Sequence, residues 1–374
     1  MIALTTDTLT AELERGNISA RIESHLIPAN EMFGFAQRIN PKRSFLFVSK
    51  VVGRHIPVKP SMMRRTYKLL ASQIPGDVAG PVVVIGMAET AVGLGAGVHQ
   101  QWSEDNGRDD AVYICTTRHS FGLPLLCEFR EEHSHATRHL IHVPSDPNVR
   151  RLMDNVKTLV LVDDEVSTGK TFSNLYSALP EVLKKSITRI ILVTLTDWSV
   201  GAAERLIDND VHNVSIITGS YRWTPNGNVA PAPEIPSLPL HDGPIIYPNP
   251  NLDWGRMGVN HHLLRIQVPF KPEGKTLILG TGENVWQPFL LAEQLENLGA
   301  DVRYSSVTRS PISIGHVIMR KLAFEDNYGG HVPNYLYNVD PADYLHIYLC
   351  SETEQKHISP ILLDALKKPH IVVG

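Results

Sequence analysis

An apolar run that ends in consecutive acidic residues is the feature that most constrains this 374-residue chain. Residues 158–162 read Thr-Leu-Val-Leu-Val, and Asp163, Asp164 and Glu165 follow directly. A short run that is rich in β-branched residues is typical of a buried parallel strand. The residues after the acids are small and polar, and a helix is predicted to start near Phe172. The polar turn contains Ser167, Thr168, Gly169 and Thr171.

This strand, turn and helix suit a sugar phosphate. The first N–H groups of a helix have no partner within the helix and lie at the positive end of its dipole, which favours a phosphate. Carboxylates just before such a turn would repel a phosphate unless the same ligand also carried hydroxyl groups. A ribose 5-phosphate does, because Asp163 and Asp164 can accept hydrogen bonds from its 2′- and 3′-hydroxyls while the turn holds the 5′-phosphate.

Two other interpretations of the stretch were compared with this one. Residues Gly169-Lys170-Thr171 end like a Walker A loop, but that motif requires a glycine five residues before Gly169. The chain has Asp164 there, and its carboxylate would face the triphosphate, so this interpretation is rejected. A strand capped by an acidic turn without any ligand stays open as the structural alternative.

The stretch closely resembles the signature for 5-phosphoribosyl-1-pyrophosphate (PRPP) in type I phosphoribosyltransferases, which has four apolar residues, two acids and a Ser/Thr/Gly loop. The resemblance implies an α/β fold in which a parallel sheet is flanked by helices and covered by an N-terminal hood. It implies catalytic roles for Asp163, Asp164 and Glu165, and a Mg²⁺ cofactor to which no protein ligand is assigned. The 5′-phosphate loop that it implies consists of Val166, Ser167, Thr168, Gly169, Lys170 and Thr171.

Lys170 departs from that signature, since many members have a small residue at this position. The lysine either adds positive charge to the phosphate site or points to solvent from the start of the helix. The first interpretation is slightly favoured.

A second strand and loop lie upstream. The apolar run 81–87 predicts a buried strand, and a small-residue loop then enters a helix that extends to about Trp102. Such a loop is another anion cradle. In the resembled family it corresponds to the pyrophosphate loop, whose candidate residues are Ala88, Glu89, Thr90 and Ala91.

A third strand, 111–117, precedes a long and poorly periodic segment, 118–138. A loop of this length inside a compact domain is usually functional. In the resembled enzymes this segment is a mobile lid that brings basic residues to the pyrophosphate, which implies a catalytic role for Arg118. The other lid candidates are Arg130, His133, His135 and Arg138. A metal site at His133 and His135 is the weaker interpretation, because such a site normally needs three or four ligands.

The segment 34–57 is the hood candidate. Phe45 to Val48 predict a strand between turn signals, and the segment loosely resembles the hood of orotate phosphoribosyltransferases. By that resemblance Lys42, Arg43 and Lys50 are expected to face an anionic substrate; a solvated basic turn is the alternative. Residues 1–32 show weak helical periodicity and indicate little more.

The remaining pattern predicts two domains. Further strands at 187–195 and 214–218 alternate with helices that are predicted over 171–185 and roughly 200–208. This alternation indicates a parallel sheet that binds its ligand at the carboxyl edge of the strands. We predict a phosphoribosyltransferase domain with its hood over 1–220, a proline-rich linker over 221–262 and a second, smaller α/β domain over 263–374.

The second domain has a strand and a Gly-x-Gly loop, then a helix over 284–298 and a strand that ends before Thr308-Arg309-Ser310-Pro311. This half resembles the TRSP domain that lies C-terminal to one phosphoribosyltransferase subfamily. The resemblance implies that the gene lies in a bacterial tellurite-resistance or stress-response cluster. It also implies that the protein takes part in making a nucleotide-derived compound. The candidates for a second anion cradle are Gly280, Thr281, Gly282, Glu283 and Arg309; an ordinary solvated turn is the alternative.

Bulk properties exclude several classes of function. The net charge of −4 gives no electrostatic case for nucleic acid or an anionic membrane. The three cysteines are scattered, which favours a reducing cytoplasm over a disulfide framework. There is no signal-peptide pattern and no apolar run of membrane-spanning length. The expected partners are PRPP, a base-like acceptor and a second copy of the chain in a homodimer. A non-catalytic PRPP or nucleotide sensor and a reverse-direction enzyme stay open.

Overall fold

The computed structural model describes residues 3–4, 7–40, 43–130, 138–227, 255–268 and 271–373. Lys42, His133 and His135 lie outside these residues, as does most of the predicted linker. Within the described ranges no helix combines the length and apolar character that crossing a membrane requires.

Strands and helices alternate through the first half of the chain. Its strands are β1 (Ala3–Leu4), β2 (Thr8–Leu13), β3 (Gly16–His25), β4 (Phe33–Gln37), β5 (Phe45–Ser49), β6 (Val82–Gly86), β7 (Ala111–Cys115), β8 (Leu125–Arg130), β9 (Arg138–His142), β10 (Thr158–Val166), β11 (Arg189–Asp197) and β12 (Val211–Pro225). Its helices are α1 (Ala29–Met32), α2 (Pro60–Ala71), α3 (Ala91–Asn106), α4 (Pro147–Asp154), α5 (Lys170–Ala178) and α6 (Glu181–Ser186).

The main sheet has the order β1-β3-β12-β11-β10-β6-β7, and β2 pairs with β3. The strands from β12 to β7 pair in parallel, whereas β3 is antiparallel to β12. Every residue of β6 and β7 is buried, as expected for parallel strands covered on both faces. The carboxyl ends of β6, β7 and β10 therefore meet at one edge, where the sequence predicts the site.

Three local predictions were wrong. The weakly helical segment near the N-terminus forms the β2–β3 hairpin, in which side chains such as Ile18 and Ile22 alternate inward. The single helix predicted after the acidic signature is interrupted, because Pro180 disfavours a helical conformation at Leu179. The helix predicted near residues 200–208 is a 3₁₀ turn over Glu204–Leu206.

The second half forms its own parallel sheet. Its strands are β13 (Thr276–Gly280), β14 (Val302–Ser306), β15 (Lys321–Glu325), β16 (Pro333–Tyr337), β17 (His346–Ser351) and β18 (His370–Val373). Its helices are α7 (Trp286–Asn297) and α8 (Pro360–Ala365). The sheet order is β14-β13-β17-β18, while β15 and β16 form a separate hairpin.

The two halves are joined by backbone hydrogen bonds. The N–H of Val58 donates to the carbonyl of Tyr304 at 2.9 Å, and the reverse bond is 2.8 Å. Nearby, the N–H of Ile39 donates to the carbonyl of Pro311 at 3.0 Å. Ala36 of β4 and Ile312 belong to one buried apolar cluster. The Thr308–Ile312 segment of the second half is thus packed onto the hood strands β4 and β5.

Candidate active site

Strand β10 carries the acidic residues to the open edge of the main sheet and extends through Val166, beyond its predicted end. The N–H of Asp164 donates to Oδ1 of Asp163 at 2.9 Å. Burial, and then the negative charge of Glu165, raises the pKa of Asp164 to about 6. The edge therefore holds carboxylates that repel one another, which favours a ligand that donates hydrogen bonds or carries a cation.

Glu165 has a partner in the hood. It forms an ion pair with Arg43, whose guanidinium also lies 4.8 Å from the centre of the Phe45 ring. Among the hood candidates, Arg43 thus reaches the acidic strand. Lys50 does not line the cleft, because its Nζ donates to the carbonyl of Asn30 at 2.7 Å.

The predicted phosphate loop lies between β10 and α5. Gly169 has a φ of +75°, and a Cβ at this position would lie 2.5 Å from the Cα of Ala203, so only glycine fits. Among the described residues, no hydrogen-bond partner is found for the N–H groups of Ser167 and Thr168. These groups are therefore free to bind an anion at the start of α5. The side chain of Lys170 is exposed and does not line the cleft, so the structure favours its solvent-facing interpretation.

The pyrophosphate-loop candidate follows β6, and its Ala88–Glu89 peptide bond is cis. The N–H of Ala88 donates to Oγ1 of Thr116 at 2.8 Å, and that of Ala91 to the carbonyl of Met87 at 2.9 Å. These two N–H groups are already engaged. The donors left for a ligand are the N–H groups of Glu89 and Thr90, for which no partner is found in the described part of the chain.

Two arginines surround the carboxylate of Glu89. The N–H of Arg309 lies 3.3 Å from its Oε2, and Nε of Arg309 lies 3.4 Å from its Oε1. Nη2 of Arg54 lies 3.5 Å from Oε2. The carboxylate of this loop is thereby neutralised by one cation from each half of the chain.

The lid candidates have separate positions. Nη2 of Arg118 donates to the carbonyl of Ala88 at 3.0 Å, and its Nη1 to the carbonyl of Arg138 at 2.8 Å. The side chain of Arg138 forms an exposed ion pair with Glu128 at 2.7 Å, and Arg130 is exposed. The segment predicted as an irregular lid contains strand β8, which pairs antiparallel with β9. Of these lid arginines, Arg118 lines the cleft.

The acids, the turn before α5 and the Ala88–Thr90 loop line a single cleft. The wall of the cleft also contains residues that the sequence did not predict. They are Arg38, Leu46, His55, Met87, His139, Phe172, Thr308 and Ser310. His139 is buried, with Nδ1 2.9 Å from Oγ1 of Thr116 and its ring stacked on Phe129. Burial, and then the charges of Arg54 and Arg38, lowers the pKa of His55 to about 3, so this imidazole is neutral.

The second anion cradle expected at Gly280–Glu283 is filled by protein groups. The carbonyl of Gly282 accepts from Nη1 of Arg54 at 3.1 Å. Glu283 accepts from Oγ1 of Thr117 at 2.6 Å and from Nε of Arg256 at 2.9 Å. Burial would raise the pKa of Glu283, but nearby cationic groups and hydrogen bonds lower it. Thr281 accepts from Asn327, so of these second-half candidates only Arg309 lines the cleft.

A family model described as phosphoribosyl transferase matches residues 32–220. A second model, described as the TRSP domain C-terminal to that transferase, matches residues 258–366. The chain therefore belongs to the phosphoribosyl transferase family and carries its TRSP domain, and the predicted α/β fold and transferase activity class are confirmed. No curated protein is significantly similar to the chain.

Several solved structures are similar to about half of the chain. The orotate phosphoribosyltransferase of Aeropyrum pernix is 18% identical, with 47% of this chain and 80% of that chain covered and a TM-score of 0.28. The adenine phosphoribosyltransferase of Rhodothermus marinus is 16% identical, with 47% and 88% covered and a TM-score of 0.29. That of Trypanosoma brucei, solved with AMP, pyrophosphate and ribose-5-phosphate, is 10% identical, with 52% and 82% covered and a TM-score of 0.35. With TM-scores this low, the assignment rests on the family models.

Proposed function

We propose that the chain transfers ribose 5-phosphate from PRPP to a base-like acceptor and releases pyrophosphate, with Mg²⁺ as cofactor. The observation that carries this proposal is the single cleft formed by Asp163 and Asp164, the turn before α5 and the Ala88–Thr90 loop. These three parts match the three polar parts of PRPP, which are its ribose hydroxyls, its 5′-phosphate and its pyrophosphate.

The reaction forms a bond between an acceptor atom and C1 of the ribose while the bond from C1 to the pyrophosphate oxygen breaks. Positive charge builds on the ribose ring and negative charge on the leaving group. Asp163 and Asp164 orient the ribose and place negative charge near the ring. The N–H groups of Glu89 and Thr90 and the guanidinium of Arg118 stabilise the departing pyrophosphate. Preorganised donors of this kind contribute roughly 3–4 kcal/mol each.

The donor set of the cleft fits Mg²⁺. Asp163 and Asp164 offer carboxylate oxygens, which this cation prefers. A cation would favour the ionised form of Asp164, whose pKa is raised by burial and then by the charge of Glu165. Mg²⁺ keeps several waters and binds largely through substrate phosphates, so the two aspartates would share it with PRPP. When bound, the ion neutralises charge on the leaving group.

The hood wall of the cleft indicates the acceptor. Arg38, Arg43 and the neutral His55 lie there beside Leu46. Glu165 balances the charge of Arg43, so the guanidinium of Arg38 is the group that favours an acceptor with a negative charge as well as its attacking atom. We therefore propose a heterocyclic base with an anionic substituent. A carboxylated base should react faster than its uncharged analogue, and equal rates would contradict this.

The subfamily resemblance also supports a proposal about the role of the protein in the cell. We infer a cytoplasmic homodimer that contributes to a nucleotide-derived metabolite in a tellurite-resistance or stress-response setting. The proposed organisation is a transferase domain over 1–220, a linker over 221–262 and a TRSP domain over 263–374. The match to the TRSP model over residues 258–366 supports the subfamily. Thr308, Arg309 and Ser310 of its motif line the cleft.

The decisive experiment measures pyrophosphate release from PRPP and Mg²⁺ against a panel of bases, together with the melting temperature. We expect PRPP to raise the melting temperature and at least one base to release pyrophosphate. Binding of PRPP without release for any base would favour the sensor alternative. If PRPP neither raises the melting temperature nor yields pyrophosphate, the proposal is wrong.

A further inference from the structure

The basic residues around the pyrophosphate-loop candidate are not the ones that the sequence predicts. The lid was expected to bring basic residues to this loop, but Arg138 is held by Glu128 and Arg130 does not line the cleft. Arg43 lines the cleft, but its guanidinium is paired with Glu165. Three guanidinium groups contact the loop itself, those of Arg54, Arg118 and Arg309. Of these, Arg118 and Arg309 line the cleft.

Arg309 is held beside the loop from two sides. Its Nε lies 3.4 Å from Oε1 of Glu89, and its Nη2 lies 3.2 Å from Nε2 of His119. For Nη1 no contact is found in the described ranges, and the side chain is 13% exposed within the cleft. The guanidinium is thus oriented by protein groups and still has donors that face a ligand.

The backbone of this segment is also fixed before any ligand binds. Thr308 and Tyr335 exchange backbone hydrogen bonds of 3.0 and 2.8 Å. The hydroxyl of Tyr337 donates to the carbonyl of Ser310 at 2.8 Å. Anchoring on both sides of Arg309 reduces the entropy lost when its side chain binds an anion.

We propose that Arg309 binds the pyrophosphate group of PRPP, so that the C-terminal half completes the active site of the N-terminal half. This inference rests on the proposed function, because it assigns Arg309 to the leaving group of that reaction. Pyrophosphate carries several negative charges and would lie beside Glu89, where it needs a neighbouring cation. The planar fork of an arginine matches phosphate oxygens, and Glu89 orients that fork through Nε.

The test compares three ligands that occupy different parts of the same cleft. Isothermal titration calorimetry with Mg²⁺ measures the dissociation constants of pyrophosphate, PRPP and ribose 5-phosphate for the full-length protein and for Arg309→Gln and Arg309→Lys. Loss of one charge-assisted contact should weaken pyrophosphate and PRPP by about 10- to 100-fold in Arg309→Gln. Arg309→Lys keeps the charge but lacks the planar fork of the guanidinium. Its affinities for pyrophosphate and PRPP should lie between those of the wild type and Arg309→Gln. Ribose 5-phosphate should bind all three proteins equally.

The matched control is Arg320→Gln. Arg320 belongs to the same half and forms an ion pair with Asp340, but its side chain is 60% exposed and does not line the cleft. This variant should bind all three ligands like the wild type. Melting temperatures of every variant, measured without ligand, check that each is folded.

Each other result overturns the inference in a recognisable way. Unchanged pyrophosphate binding in Arg309→Gln contradicts it directly. An equal loss for all three ligands, including ribose 5-phosphate, assigns Arg309 a purely structural role. If the wild type binds ribose 5-phosphate but not pyrophosphate, only this inference fails. If it binds neither PRPP nor ribose 5-phosphate, the proposed function fails with it.

Discussion

The carboxyl edges of the two parallel sheets carry similar residues in different surroundings. On the first sheet, Asp163 and Asp164 end β10 in an open cleft. On the second, Glu283 follows β13 and Glu352 follows β17, and both side chains are buried. Arg256 enters this second edge and pairs with Glu283 at 2.9 Å and with Glu352 at 2.8 Å. One edge is open to a ligand and the other is closed by protein.

The pKa values show how the two edges differ. Glu283 is more deeply buried than Asp164, yet its pKa is lowered while that of Asp164 is raised to about 6. Burial favours the neutral form of both acids, and the partners decide the direction. Cationic groups and hydrogen bonds surround Glu283, whereas Asp164 faces Glu165. Unbalanced charge in a cleft is typical of a binding site, and balanced buried charge is typical of structural contacts.

The largest effect is expected from the open edge. Asp163→Asn together with Asp164→Asn removes the charge that we propose orients the ribose, so pyrophosphate release should fall by at least about 10³-fold. The melting temperature should not fall, because the substitution relieves carboxylate repulsion. Asp154→Asn, an exposed position at the end of α4, is the control and should keep full activity. Wild-type turnover in the double variant would overturn the site assignment.

At the closed edge, the expected effect of a substitution is on the free energy of unfolding. Glu352→Gln removes a charge partner of the buried Arg256, and breaking such a pair costs about 3–5 kcal/mol of unfolding free energy. Urea denaturation measures this difference. Glu354→Gln, in an exposed ion pair with Lys356, is the control and should leave the urea midpoint unchanged. A midpoint like that of the wild type in Glu352→Gln would show that this edge is not a structural junction.

The same comparison shows what a sequence can predict. The β10 strand, its acids and the turn at Gly169 depend on neighbouring residues, so local patterns identified them. The pair Arg54 and Gly282 is 228 residues apart, and Arg309 and Glu89 are 220 apart. No local pattern determines such contacts, so the closed edge was predicted as an anion cradle. Pro180 is different, because the residue that interrupts the helix is itself visible in the local sequence.

A third prediction concerns the geometry of the open edge. Gly169→Ala places a Cβ 2.5 Å from the Cα of Ala203 at a φ of +75°. Strain at positive φ costs about 1–3 kcal/mol, and the contact with the Ala203 backbone adds to it at Gly169, so the KM for PRPP should rise about tenfold or more. Gly201→Ala is the matched control: its φ is +74°, but its nearest contact is a flexible arginine side chain at 3.2 Å. A KM raised equally by both variants would indicate general destabilisation.

The smallest expected effect is a shift in pH dependence at the open edge. The proposed reaction needs Asp164 ionised, so kcat/KM for PRPP should fall as the pH drops through about 6. Glu165→Gln removes the neighbouring charge and leaves Arg43 without its carboxylate partner. Both changes favour ionised Asp164, so this acid limb should move to lower pH. The stability contributed by the raised pKa is present below about pH 4 and is lost as the pH rises through about 6. Asp164→Asn should therefore be more stable than the wild type at pH 8 and not at pH 4. If the acid limb does not move in Glu165→Gln, Glu165 does not raise the pKa of Asp164. The electrostatic difference between the two edges would then be wrong.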